Sequence, residues 1–241
     1  MLFAGIFVIL FLGAIAWWIV LKTDDSVPTA IPTTTAVAIL PTPTPTPTPI
    51  MTFSQIYTPD DTFSYVGNAT TPKKNLDAFR LEEANNTFSV GNVRFFTGRI
   101  SLADFSKSVG LTIPPGVASS LDNSFYYSFF GKPDGSIGRG LAIKVVNPAA
   151  LAAGLTSWES SMSRDFSSFF NLNTTRAASA KFLDNIYSTI PIRYRNFPDA
   201  FNTIDYSVMR MPNGEDFLFI TNTKDHIFVI INKLSVIPRG K

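Results

Sequence analysis

Residues 125–170 read FYYSFFGKPDGSIGRGLAIKVVNPAALAAGLTSWESSMSRDFSSFF, and this stretch decides the fold. Phe125 to Phe130 is an aromatic run of the kind that fills strands. Pro133-Asp134-Gly135 is a turn, because Pro presets φ and Gly accepts φ > 0. Leu141 to Val146 reads as the return strand. Asn147 then caps a helix with Pro148 at its first position, and the helix runs to about Phe170. Its apolar stripe is Leu151, Leu155, Trp158, Met162, Phe166 and Phe169, at the three- and four-residue steps of a buried helix face. The unit is a β-hairpin followed by a helix, which predicts an α+β domain.

The same order recurs near the C-terminus. Ile204 to Met209 reads as a strand, Pro212-Asn213-Gly214 as a turn and Phe217 to Ile220 as the return strand. Thr223 caps a final helix that turns Ile227, Ile230, Ile231 and Leu234 inward, although His226 to Ile231 is β-branched enough to compete as a strand. Two hairpin–helix units raise an internal duplication, against which stands the fact that strand–turn–strand–helix is a common order. Elsewhere Phe53 to Tyr65 reads as an irregular strand and Leu76 to Ala84 as a short helix. Val93 to Phe96 and Ile190 to Tyr194 read as strands. Ser101 caps a helix carrying Leu102, Phe105 and Val109, which Gly110 stops.

Outward from this domain, the first 50 residues have a different composition. Leu2 to Leu21 is twenty residues without a charge, which at about 1.5 Å per residue crosses a hydrocarbon core of about 30 Å. Trp17 and Trp18 sit at its C-terminal end, where indoles favour the interface, and Lys22 can snorkel. Ala14-Ile15-Ala16 resembles a signal-peptidase site, but the apolar run continues past it and no basic n-region precedes it, so an uncleaved anchor is expected. Residues 23–50 end in alternating Pro and Thr from Pro41 to Pro49, a pattern that is extended polyproline II and reaches roughly 80–90 Å over its length. The expected organisation is a transmembrane helix over 1–22, a disordered Pro/Thr-rich tether over 23–50 and one α+β domain over 51–241. Lys22 taken alone favours a cytoplasmic C-terminus. A Thr/Pro stalk favours the outer side, and an extracytoplasmic, single-pass arrangement is the expectation. The rival reading of the stalk is a proline-rich ligand for a cytoplasmic partner.

Composition excludes several chemistries. Cysteine is absent, which removes disulfides, thiolate nucleophiles and Cys-based zinc sites. After residue 50 there are 19 basic and 16 acidic residues, a balance of +3, with no basic run longer than Lys73-Lys74. A nucleic-acid partner is not expected from so weak a pattern. The 19 Phe beyond residue 50 suffice for an aromatic core, and no cofactor or metal motif is present. His226 is the one histidine. It is expected as a partly exposed residue at a helix start, since no nucleophile elbow accompanies it. Gly135-Ser136-Ile137-Gly138-Arg139-Gly140 has the wrong spacing for a dinucleotide loop and joins two strands. Two groups of site candidates remain. Arg193, Tyr194, Arg195 and Phe197 combine residue types enriched at binding surfaces, against the alternative of a polar strand and its exit turn. Trp158 and Glu159, with Asp165 six residues on, suggest a glycan site with paired carboxylates. The plainer reading makes Trp158 a helix anchor and leaves Glu159 in a salt bridge or facing solvent.

Ile113-Pro114-Pro115-Gly116, Trp158-Glu159 with Met162, Arg193 through Asp199, Ile204-Asp205-Tyr206 and Thr221-Asn222-Thr223-Lys224-Asp225 together resemble uncharacterised single-span envelope proteins of candidate-phylum (Patescibacteria-like) bacteria. The similarity spans roughly residues 50–235. It implies one N-terminal span, a Pro-rich tether and a domain of this length, with a terminal helix opening after Thr223. A basic stretch usually precedes the span in that group, and none does here. The resemblance transfers no catalytic residue. The function expected is a membrane-anchored, non-enzymatic module that binds a protein or cell-wall partner. The alternatives are a cell-wall glycan hydrolase using Glu159 and Asp165, and a sensor domain with a pocket for a small ligand.

Overall fold

A computed structural model describes residues 50–60, 71–173, 181–198 and 202–237. The expected span over residues 2–21 and the Pro/Thr stretch up to residue 49 lie outside the described residues. Among the described residues no helix is long and apolar enough to cross a membrane.

The domain is α+β, built on a seven-stranded antiparallel sheet. The strands are β1 (Val93–Thr97), β2 (Leu121–Gly131), β3 (Ile137–Val145), β4 (Leu183–Tyr187), β5 (Ile190–Asn196), β6 (Thr203–Arg210) and β7 (Asp216–Thr221), in the spatial order β1-β2-β3-β7-β6-β5-β4. Both hairpin turns form where their sequences place them. Gly135 takes φ +80° and Gly214 φ +86°, the left-handed conformation each turn requires. In the first turn Asp134 Oδ1 accepts from the Ser136 amide at 2.9 Å.

Alternation along the strands sends side chains to two faces. Phe125, Tyr127, Phe129, Leu141, Ile143, Leu218, Ile220 and Ile204 point to one face. They pack under α2 (Pro72–Ala84), α3 (Leu102–Val109), α4 (Pro115–Ala118), α5 (Pro148–Asp165) and α6 (Ser167–Phe170). Phe130, Ala142, Phe217, Phe219, Met209 and Ile192 point to the other face, under α1 (Phe53–Tyr57) and α7 (Lys224–Ser235). The sheet is therefore the middle of three layers. Phe105 and Tyr127 stack at 5.9 Å, and Phe79 lies edge-on to both. Such pairs contribute about 0.5–1.5 kcal/mol each beyond their area.

Several expectations change. The hairpins do recur, but α5 follows β3 on one face while α7 follows β7 on the opposite face. β3 pairs antiparallel with β7, so the axis relating the two hairpins runs perpendicular to the sheet, and rotation about it cannot superpose the helices. What repeats is the order of elements. Phe53 to Tyr57 is a helix, not an irregular strand: Gln55 Oε1 accepts from the Thr52 amide at 2.8 Å, an N-terminal capping signal hidden in Thr52-x-x-Gln55. The helix after Asn147 stops at Asp165, short of Phe170, because the Asp165 carbonyl accepts from the Thr112 amide at 3.3 Å and a separate turn, α6, resumes at Ser167. All six stripe residues are nonetheless buried. β4 is an edge strand the sequence pattern did not reveal, with Ile186 exposed.

Candidate functional site

The Arg193 group lies on β5 and just beyond it, and most of it faces inward. Arg193 Nε and Nη2 each donate to Glu159 at 2.7 Å, and Nη1 donates to Asp184 at 2.8 Å. Tyr206 Oη donates a 2.6 Å bond to Glu159. Its hydrogen bonds to these carboxylates hold the Arg193 guanidinium well above its ordinary range, and burial together with Glu159 pushes the Tyr206 phenol up. Arg195 and Phe197 are buried, with the guanidinium 5.8 Å from the Phe197 ring centre. Tyr194 is half-buried. Arg193, Arg195 and Phe197 thus join β5 to α5 and the core, and Tyr194 and Arg193 reach the surface in part.

Trp158 is 2% exposed. Its Nε1 donates to Asp165 Oδ2 at 2.9 Å, and Ser161 Oγ donates to the same oxygen at 2.6 Å. Its ring packs 5.3 Å from that of Phe166. Trp158 is a helix anchor, as the plainer reading has it. Glu159 turns to β5 and β6 while Asp165 turns back along its own helix, so the two carboxylates serve different partners.

His226 does begin a helix, but it is fully buried rather than partly exposed. Its Nε2 lies 3.0 Å from Ser128 Oγ on β2, and its ring stacks on Phe130 at 5.4 Å. The room comes from Gly140 on β3, where a Cβ would fall 2.6 Å from Ser128 Oγ and 3.0 Å from His226 Cε1. Burial, with the Lys132 charge nearby, drives the imidazole down to about 3, so it is neutral. Its Nδ1 has no hydrogen-bond partner, and the serine is as buried as the histidine. The pair is closed to a substrate in this conformation. On the same face Asp205 is 2% exposed and accepts a hydrogen bond from Thr203 Oγ1. Burial lifts its carboxyl to about 7. Under α2, Arg139 clamps the buried Glu83 through Nε at 3.0 Å and Nη2 at 2.6 Å.

A concave surface lies at the other end of the sheet, between α3, the Leu111–Ile113 segment and the start of β2, with a volume of about 320 Å³. Leu102, Leu111 and Leu121 form its floor, all buried. Ser106, one helical turn from Leu102, is 6% exposed and lines the cleft, and its Oγ has no partner. Lys107 stands on one wall and Asp122 on the other. The β2 wall is irregular: Leu121 pairs with Val145 and Phe125 with Ile143, so two extra residues bulge from β2 between them. Asp122-Asn123-Ser124, three polar residues between Leu121 and the aromatic run from Phe125, is the sequence signal for this bulge. The hydroxyl at Ser106 carries no such signal, because Ser on an amphipathic helix looks like any polar position. The cleft offers an aliphatic floor, the hydroxyls of Ser106 and Thr112, the Asn123 amide and two opposite charges, a set suited to binding. Among the described residues no group of three His, Asp or Glu side chains converges to hold a metal. Comparison of the chain with protein-family models, with curated proteins and with solved structures finds no match.

Proposed function

We propose that this chain is a membrane-anchored, extracytoplasmic, non-enzymatic module of the envelope-protein kind it resembles. Residues 2–21 hold it in the membrane, the Pro/Thr tether lifts the domain away, and the cleft between α3 and β2 engages a protein or cell-envelope partner. One observation carries the reading. The sequence candidates for proton chemistry are engaged inside the fold, Glu159 by Arg193 and Tyr206, Asp165 by Trp158 and His226 by Ser128. The concave surface instead presents apolar floor and rim charges. Glycan hydrolysis would need two carboxylates facing one cleft at about 5–10 Å, and Glu159 and Asp165 do not line this one.

The test uses a photoreactive residue at Ala103, on the cleft rim, in the full chain in native membranes. The same residue at Ala84, exposed at the end of α2, serves as the control. A crosslinked partner recovered from Ala103 and not from Ala84, and lost when Thr112→Trp blocks the cleft, supports the reading. Equal crosslinking from both positions removes the cleft from the function. Protease added to intact spheroplasts should release the domain; protection until lysis reverses the orientation.

A further inference from the structure

The shape and chemistry of the α3–β2 cleft narrow its ligand, an inference that rests on the binding role proposed above. We infer that the cleft takes a polypeptide segment that inserts one aliphatic side chain between Leu102, Leu111 and Leu121. Four observations converge on this chemistry.

The first is size. About 320 Å³ is at the bottom of the range for ligand sites, roughly 300–1,000 Å³. It holds one side chain with its flanking backbone, and is small for an oligosaccharide. The second is the floor, which is aliphatic, in a lining that contains no aromatic residue. A sugar ring is held by stacking on an aromatic face, and this floor offers only methyl groups. The third is Ser106, whose hydroxyl is more than nine-tenths buried and has no partner. A hydrocarbon chain filling the cleft would leave that hydroxyl unpaired, which is unfavourable. A peptide carries a carbonyl next to every side chain and can accept from it. The fourth is charge. Lys107 and Asp122 stand on opposite walls, so a phosphate or polyanion drawn to one is repelled by the other. The neutral, dipolar peptide backbone suits both. An apolar anchor in a pocket, ringed by polar groups, is also the arrangement of interface hot spots.

The experiment titrates the full chain in detergent micelles and follows the NMR signals of the Leu102, Leu111 and Leu121 methyl groups. The probe is N-acetyl-leucine N-methylamide, a single aliphatic residue with a peptide group on each side. The glycine analogue, hexanoate and chitotetraose are the comparisons. The leucine probe should shift the three methyl pairs and bind about tenfold or more tightly than the glycine analogue, the difference expected for burying its side chain. Ser106→Ala should weaken it roughly fivefold through the lost hydrogen bond. Ala103→Trp should abolish the shifts; an unchanged melting temperature shows that variant to be folded, and Thr112→Trp on the facing wall gives the same test if it is not. Tighter binding of hexanoate or chitotetraose overturns the peptide class while leaving the cleft a binding site. Methyl shifts that follow protein concentration without any probe assign the cleft to a second copy of this chain and overturn the inference. No shift with any probe brings down the binding role of the cleft as well.

Discussion

Replacing Asp205 with Asn should stabilise the domain at pH 8 and not at pH 4. The carboxyl of Asp205 is raised from 3.8 to about 7 because it lies buried on β6. Its near charges are Lys224, which favours ionisation, and Asp225, which opposes it, both on the first turn of α7. A raised folded-state value means that the fold prefers the protonated form. Its contribution is complete below about pH 3.8 and is lost as pH rises to about 7. A rise of about three pH units, at about 1.4 kcal/mol each, makes the ionised group cost roughly 4 kcal/mol at pH 8. His226 acts with the opposite sign: lowered from 6.5 to about 3, it contributes fully above pH 6.5 and loses that contribution as pH falls toward 3. Between about pH 4 and 6.5 the slopes contributed by these two groups oppose one another. The Asp205→Asn amide would mimic the neutral acid and unmask the histidine slope. It brings an extra buried N–H group, which costs about 1 kcal/mol, leaving a net gain of about 3 kcal/mol at pH 8 and a loss of about 1 kcal/mol at pH 4. Urea unfolding of the compact unit from Thr46 to Lys241 measures this with Trp158 as its sole indole, the other two being Trp17 and Trp18. With m about 2 kcal/mol per molar, the midpoint at pH 8 should rise by about 1.5 M. An unchanged or lowered midpoint at pH 8 would falsify the argument and would mean that the fold stabilises the Asp205 carboxylate.

Three further outcomes follow from buried partners. Trp158→Ala should cost about 3–5 kcal/mol in the same assay read by circular dichroism, since it removes a large core ring and strips Asp165 of a hydrogen bond; a loss under about 1 kcal/mol would reopen Trp158 as a surface residue. Glu159→Gln should cost about 1–3 kcal/mol, because Glu159 accepts two bonds from Arg193 and one from Tyr206; a silent substitution would show these bonds to be weak in solution. Arg139→Ala should cost about 3–5 kcal/mol by leaving Glu83 buried and uncompensated, and Glu83→Gln in the same chain should recover part of it. If the double variant is no better than the single, the loss comes from packing of the arginine.

The parts of this fold that were legible in the sequence are those governed by local rules. Asn147-Pro148 opens α5, Ser101 and Gly110 bound α3, and the Gly residues of the two turns set the hairpins. Each feature involves groups within a few residues of one another. The parts missed depend on which strand lies beside which. Nothing periodic distinguishes Leu183 to Tyr187 as a strand, because as a sheet edge it has no alternating buried face. The opposite placement of α5 and α7 likewise depends on how each chain leaves its hairpin.

The sites divide on the same line. Arg193 and Glu159 are 34 residues apart, and their pairing makes an apparent binding surface into an internal clamp. Composition could not show this, since Arg and Tyr look alike whether they meet a partner protein or the protein's own helix. The burial of His226 does have a signal in the sequence. Gly138 and Gly140 stand in what became β3, and a glycine inside a strand marks a place where another group comes close. Taken as a turn, the Gly135–Gly140 stretch hid the fact that its last glycine clears room for the imidazole. The cleft escaped for the converse reason. Its distinguishing group is a hydroxyl without a partner, and the absence of a partner is a property of three elements packed together, α3, the Leu111–Ile113 segment and the bulge of β2. A lone serine on a helix acquires meaning only when those walls close around it.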